Sequence, residues 1–283
     1  MRALVPLMLL WLVAALPAPV MAMTGDLEPA AAAFDNGVFA RAARLARDLG
    51  TAEGDAFAAR AELARREFIA VPASRRAALD KAAADARRAI ARDPERPEGH
   101  LYLAVALGLI ARGEGGLAAH LAGYGGEARR HIDTALQLEP ENPWAHAALG
   151  GWHLEIAHTG GFVGAALYGA GAAEGEAAYE HALMLDPENI SIAWQYAFQI
   201  AGMGGEARRA RARQLLAAIL ENPSPTALDV LLRGHAAELA AAVDNDDRAE
   251  ILRIVTLRLG RAEAGAAPSG SRVVPRPPIG RTR

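Results

Sequence analysis

Apolar residues recur at helical spacing along most of the chain. Leu79, Ala82, Ala86 and Ile90, for example, fall three or four positions apart, which places them on one side of a helix. Thr51 and Ser74 stand where N-caps would open two such helices. The same spacing predicts helices near positions 38–49, 51–71, 74–92, 97–110, 143–156, 190–200, 205–222, 226–243 and 246–259.

One pattern occurs three times, at 89–95, 135–141 and 182–188. Each copy has a small residue, an apolar helix end and a proline between two acids. Proline cannot continue a helix and disfavours the α conformation in the residue before it, so each copy predicts a turn between two helices. The prolines are 46 and 47 positions apart, at Pro94, Pro140 and Pro187. We therefore expect a repeat, with Ala89, Ala135 and Ala182 at helix contacts.

A second apolar helix follows each proline turn. Small residues stand ten positions after the prolines, at Ala104, Gly150 and Ala197. A small side chain there would let two helices approach closely.

This alternation resembles the tetratricopeptide repeat, whose unit is a helix pair of 34 residues. The longer period here predicts insertions within the pairs, at 111–125 and 159–175. With these inserts, the stretch from 52 to 201 is similar to the regulator of microtubule dynamics family and its bacterial relatives. The resemblance implies an all-α, right-handed superhelix of antiparallel helix pairs with long loops inside the pairs, over 27–262.

In tetratricopeptide arrays the first helix of each pair lines the concave face. Transferred by resemblance, that geometry predicts a partner-binding groove whose large side chains can anchor a peptide or helix. The alternative is that these residues pack in the core. The inserts are long enough to cover the groove, and their segments 117–121 and 162–168 are apolar enough to fold back onto it, but the sequence leaves open whether they do. The predicted partner-binding residues are Leu101, Val105, Trp144, Trp194 and Phe198.

The two ends of the chain differ from the repeats. Residues 1–22 combine Arg2, an apolar run at 4–16 and small residues before position 23, which is typical of a cleaved secretory signal peptide. An uncleaved anchor is the alternative, but the run is short for a bilayer core of about 30 Å. Residues 264–283 hold four prolines, three glycines and four arginines and are expected to form a disordered basic tail. We thus expect a periplasmic or secreted protein with no stable membrane span after cleavage.

The amino-acid composition and the motifs exclude several classes of reaction and binding site. The chain has 68 alanines, which favour helix, and no cysteine for disulfides, thiol nucleophiles or cysteine metal sites. A net charge of −3 argues against a nucleic-acid partner, and the arginines at 208–213 are expected to form a solvated face. No phosphate-loop, nucleophile-elbow or metalloprotease motif is present. His153 and His158 point about 140° apart on a helix, so no metal site and no cofactor are predicted.

Two classes of function fit these features. The first is an exported, non-enzymatic protein–protein interaction scaffold that binds envelope proteins or peptides through the concave face. The second is an accessory component of an envelope transport system that binds a hydrophobic small ligand in an apolar pocket.

Overall fold

Helices follow one another along the chain in a computed structural model that describes residues 27–69, 71–114, 116–223 and 226–259. Within those residues the helices are α1 (Glu28–Asp35), α2 (Phe39–Asp48), α3 (Ala52–Glu67), α4 (Pro72–Arg92), α5 (Pro97–Glu114), α6 (Gly116–Leu121), α7 (Tyr124–Leu138), α8 (Pro143–Thr159), α9 (Gly161–Tyr168), α10 (Ala172–Leu185), α11 (Ile190–Met203), α12 (Glu206–Glu221), α13 (Ala227–Asp244) and α14 (Arg248–Leu259). The described part of the chain contains no strand. The predicted signal peptide and basic tail lie outside it.

The helices pack as antiparallel pairs, which confirms the predicted fold class. The pairs are α1 with α2, α3 with α4, α5 with α7, α8 with α10, α11 with α12, and α13 with α14. Consecutive first helices also contact each other, as α5 does α8 and α8 does α11. The insertions within the third and fourth pairs are short helices, α6 and α9, where the sequence predicted loops. Helix α1 was not predicted from the sequence, although Pro29 stands in its first turn.

The proline turns lie where the repeat predicted them. Asn142 caps α8, because its Oδ1 accepts the Ala145 N–H at 3.0 Å, and Asn189 caps α11 through the Ile192 N–H at 3.1 Å. Each asparagine also donates from Nδ2 to an acid of its own turn, Glu139 or Asp186. Both turns are thus built from the same four-residue hydrogen-bonded unit.

Two other predicted caps had different outcomes. Thr51 caps α3 by accepting the Gly54 N–H at 3.0 Å, as predicted. Ser74 does not cap α4, because that helix already begins at Pro72 with Val71 as its N-cap residue. Proline is well suited to a first helical position, since its fixed φ and missing N–H cost nothing there.

Small residues fill the helix contacts. Ala89, Ala135 and Ala182 are fully buried, as are Ala104, Gly150 and Ala197 or nearly so. At Gly150 the approach is closest, because an added Cβ would lie 2.6 Å from Tyr179 Cδ2 and 2.9 Å from the Gly175 carbonyl oxygen. The predicted role of these positions in close helix packing is therefore confirmed.

Candidate partner-binding surface

The five predicted groove residues do not share one surface. Trp194 is only 2% exposed, and Phe198 and Leu101 are also buried. Val105 is partly buried and packs beside Leu101. Trp144 alone among the five projects into solvent, with 41% of its surface exposed.

Trp194 and Phe198 are buried because the C-terminal pair packs across α11. The Trp194 ring centroid lies 5.8 Å from that of His235 on α13, and Phe198 shares a pocket with Val255 on α14. Leu232, Leu239 and Ile254 of the same pair belong to the core cluster that contains both aromatic residues. The prediction that Trp194 and Phe198 line an open groove is at odds with this burial. The residues match the alternative, in which they pack in the core.

Leu101 is buried for a different reason. It packs against Ala135 of the same helix pair and Ala145 of the next pair, both fully buried. Alanine at these two sites lets α7 and α8 close over the leucine. A side chain held there has no surface to offer a partner.

Three large apolar side chains are exposed near the proline-turn ends of α7, α8 and α10. Leu138 ends α7, Trp144 lies in the first turn of α8, and Met184 lies near the end of α10. Because α8 and α10 are antiparallel, the start of one lies beside the end of the other. The rings of His146 and His181, also near these helix ends, stack with centroids 4.3 Å apart. We call Leu138, Trp144 and Met184 the turn-edge surface.

A histidine pair sits at the equivalent place one repeat earlier. His100 and His146 occupy the same repeat position, and their Nε2 atoms lie 3.0 and 2.8 Å from the carbonyl oxygens of Pro94 and Pro140. A carbonyl can only accept, so Nε2 of each ring carries the proton. In the neutral His100 ring Nδ1 is then an acceptor, and His131 donates to it from Nδ1 at 2.9 Å. Burial is the main cause that lowers the pKa of His131, and a proton on the neighbouring His100 would lower it further.

His153 is also held by local contacts. Its Nδ1 accepts the Gly171 N–H at 3.2 Å, and Arg129 lies beside its Nε2. Burial, with help from the Arg129 charge, lowers the pKa of His153. In the part of the chain that the structure describes, no three metal-ligating side chains come together.

A shallow pocket lies between α8, α11 and α14. The buried Gln199 Oε1 has no hydrogen-bond partner there. The pocket is lined by Leu154, Glu155, His158, Phe198, Gln199, Gly202, Met203 and Val255. Four of these eight residues carry large apolar side chains and three carry polar ones.

The two inserts do not fold back over the groove, which the sequence had left open. Helix α9 has no buried residue, and its large apolar side chains point into solvent. The inserts contact each other instead, since the Tyr168 hydroxyl lies 2.7 Å from His120 Nδ1. The groove beside α11 is already occupied by α13 and α14. This exposed apolar tip was not predicted, although residues 159–173 contain no acidic or basic side chain.

The arginines at 208–213 are engaged by carboxylates. Arg208 pairs with Glu176 at 2.7 Å, Arg211 with Glu180 at 2.7 Å and Arg213 with Asp244 at 2.8 Å. These exposed pairs join α12 to α10 and α13. Their charge is balanced locally and does not form a free basic face.

Fold and pairing define a tetratricopeptide-type helical-repeat protein. A solved structure described as a thermophilic TPR protein from Thermus thermophilus matches with a TM-score of 0.53 and 21% sequence identity. The match covers 75% of this chain and 95% of that one. At this identity the likeness supports the fold alone.

The match to one protein family gives a narrower classification than the fold does. The family model described as regulator of microtubule dynamics protein 1-3 matches residues 30–185, more than half of the chain, and the chain belongs to that family. Regulator of microtubule dynamics protein 3 from Bos taurus is 35% identical over 74 residues, and the Rattus norvegicus protein is 32% identical over the same length. Each alignment spans 26% of this chain and 15% of the relative, so the chain covers a small part of those relatives.

Proposed function

We propose that this protein is an exported, non-enzymatic interaction scaffold, and that a partner protein or peptide binds the turn-edge surface formed by Leu138, Trp144 and Met184. The exposure of Trp144 carries the proposal. Tryptophan is enriched at the centres of protein interfaces because one side chain buries a large area. Leu138 and Met184 are further exposed apolar side chains at the turn ends of neighbouring helices. The tetratricopeptide-type fold supports a protein partner, since such arrays present long surfaces between repeats.

A site-specific cross-linking experiment tests the surface. A photo-reactive side chain is placed at position 144 and, as a matched control, at Val230, which is an exposed apolar residue of α13. In an envelope fraction we expect a discrete adduct from position 144 and none from position 230. Met184→Asp should abolish the adduct without changing the melting temperature. Equal adducts at both positions, or an adduct that survives Met184→Asp, would place the interface elsewhere.

Export is proposed on the sequence of residues 1–22. Their charged start, apolar run and small residues before position 23 support cleavage after Ala22 and a periplasmic or secreted protein. Mass spectrometry of the protein from its native host should find a chain that begins at Met23. An intact chain in the cytoplasm would contradict the proposal.

The pocket beside Gln199 supports the second function, binding of a hydrophobic small ligand for envelope transport. Its apolar side chains, Leu154, Phe198, Met203 and Val255, suit such a ligand. Native mass spectrometry of the host-purified protein should then find a bound small molecule, lost in a Met203→Trp variant that fills the pocket. A protein that carries nothing, while cross-linking from position 144 succeeds, would favour the scaffold.

A further inference from the structure

The two inserts form one protruding apolar tip. Leu121 at the end of α6 and Phe162, Val163 and Leu167 of α9 are between 62% and 88% exposed. The His120–Tyr168 contact joins the two helices, so the four exposed side chains stand on one joined pair of inserts. We call these four residues the insert patch.

The insert patch is unusual for a water-exposed helix. A surface helix of a globular protein has one apolar stripe that faces the core and a polar face towards water. Helix α9 has apolar side chains on all sides and buries none of them. A contiguous exposed apolar surface of this kind marks a place where a protein meets another phase or another molecule.

From this we infer that the insert patch docks on the surface of a lipid bilayer and places its four apolar side chains among the acyl chains. Residues 115–126 and 159–173 contain no Asp, Glu, Lys or Arg. Protein interfaces have a polar rim around their apolar centre, and charged groups there help to select the partner. A bilayer demands the opposite, because a charged group carried into hydrocarbon is costly. The missing charges therefore favour lipid over a protein partner.

The shape of the tip fits the same occupant. Side chains that stand out on a convex tip need a matching pocket on a protein, whereas acyl chains rearrange around them. Helix α9 has eight residues and is thus about 12 Å long, less than half of the ~30 Å hydrocarbon core. The tip can therefore enter one leaflet and cannot cross. Tyr124 and Tyr168 are partly buried and pack against a core cluster, so they hold the tip to the helical array.

The rest of the chain is compatible with a peripheral position. None of the helices in the described ranges combines the length and the hydropathy that a transmembrane span requires. Upstream, the apolar run at 4–16 is expected to engage a membrane during export or to remain in it as an anchor. A retained anchor would hold the insert patch close to a bilayer. Because its inserts lack basic residues, docking should depend on apolar insertion and little on salt.

A fluorescent probe tests the contact at one position. The chain has no cysteine, so Val163→Cys can be labelled with an environment-sensitive dye such as NBD, and Val230→Cys serves as the exposed apolar control. Upon addition of phosphatidylcholine vesicles to the host-purified protein, we expect a blue shift and about a threefold or greater rise in emission at position 163 alone, retained in about 0.5 M NaCl as apolar insertion requires. No change at 163, or equal changes at both positions, would overturn the proposal. A change that appears with protein concentration in the absence of vesicles would assign the patch to a second copy of the chain.

Vesicle flotation provides the matched loss of function. Phe162→Asp with Leu167→Asp should reduce partition into the same vesicles about tenfold or more, because each carboxylate opposes burial in hydrocarbon. Leu257→Asp with Val230→Asp adds equal charge to exposed apolar positions elsewhere and should leave partition unchanged. Since all four sites are exposed, neither double variant should alter the melting temperature. Equal losses in the two variants would show that net charge, not the insert patch, controls binding.

Discussion

Glycine and alanine at single positions determine how closely the paired helices approach. Gly150 of α8 faces Gly175 of α10. An added Cβ at either glycine would lie about 3 Å from the carbonyl oxygen of the other. Leu154 and Tyr179 fill the space on either side. At this crossing the absence of a side chain is a packing requirement and not a source of flexibility.

Gly150→Ala should therefore destabilise the protein. The new methyl group would lie 2.6 Å from the Tyr179 ring, and relief requires a shift of α10, at a cost of about 1–3 kcal/mol. Gly108→Ala is the matched control, because its added Cβ meets nothing within 4 Å in the interior of α5. That change should stabilise the protein by about 0.5–1 kcal/mol. Urea unfolding of both variants checks the prediction, which fails if they shift stability in the same direction.

Trp144 and Trp194 were both predicted to line the groove, but Trp144 is exposed and Trp194 is buried. Their truncation should therefore have different effects on stability. Trp194→Ala removes a side chain that is 2% exposed within the largest core cluster, and should cost about 3–5 kcal/mol of unfolding free energy. Trp144→Ala removes a side chain that is 41% exposed and should change stability by no more than about 0.5 kcal/mol. Thermal and urea unfolding measure both. A similar loss in the two variants would contradict the burial that distinguishes them.

At the scale of the elements, the proline turns explain why the helix pairs were predictable. Proline, its flanking acids and the following asparagine act through contacts within four residues, so sequence alone carries their register. The caps and the buried small residues followed from that register. Ser74 was misassigned because a proline two positions earlier opens the helix without a side-chain cap. Helix α9 was expected to be a loop because glycine flanks it, yet Gly161 has a φ of 55° and starts a helix directly after α8.

The asparagine caps offer a test at this scale. Asn142→Ala removes the acceptor of the Ala145 N–H and the donor to Glu139, and should destabilise the protein by about 1 kcal/mol. Ser74→Ala, at the position where a cap was predicted and is absent, should change stability by no more than about 0.5 kcal/mol. Differential scanning calorimetry compares the two. Equal shifts would mean that the Asn142 hydrogen bonds add nothing to the turn.

For the whole molecule, the decisive contacts are those between distant parts of the chain. The start of α13 reaches the turn between α1 and α2, where an added Cβ at Gly37 would lie 2.8 Å from Ala227 Cβ and Leu228 packs beside the cluster of Phe34. The last helix pair therefore contacts the first helix pair. It also covers Trp194. A repeat pattern predicts neighbours within and between adjacent pairs. It carries no information about which pairs meet after the array has curved, so the groove prediction failed at Trp194 and Phe198.

Three histidines from separate parts of the array give the folded protein a common dependence on pH. Burial is the first cause that lowers the pKa of His131, His153 and His235, so the folded state favours the neutral rings. In the unfolded chain a histidine titrates near about 6.5. Above that pH both states are neutral and these groups do not affect stability. As the pH falls through about 6.5, the unfolded chain binds protons that the folded chain resists, and the free energy of unfolding decreases until the lowered pKa values are reached.

Urea unfolding at about pH 7.5 and about pH 5.5 should therefore show lower stability at the acidic value, within a range where carboxylates change little. A triple variant, His131→Gln, His153→Gln and His235→Gln, should show a smaller difference between the two pH values, whatever its absolute stability, because glutamine takes up no proton. His120→Gln is the matched control, since His120 is exposed at the insert tip and its removal should preserve the wild-type difference. If the triple variant retained the full pH difference, the acid sensitivity would arise from other groups and the proposed role of these three histidines would be wrong.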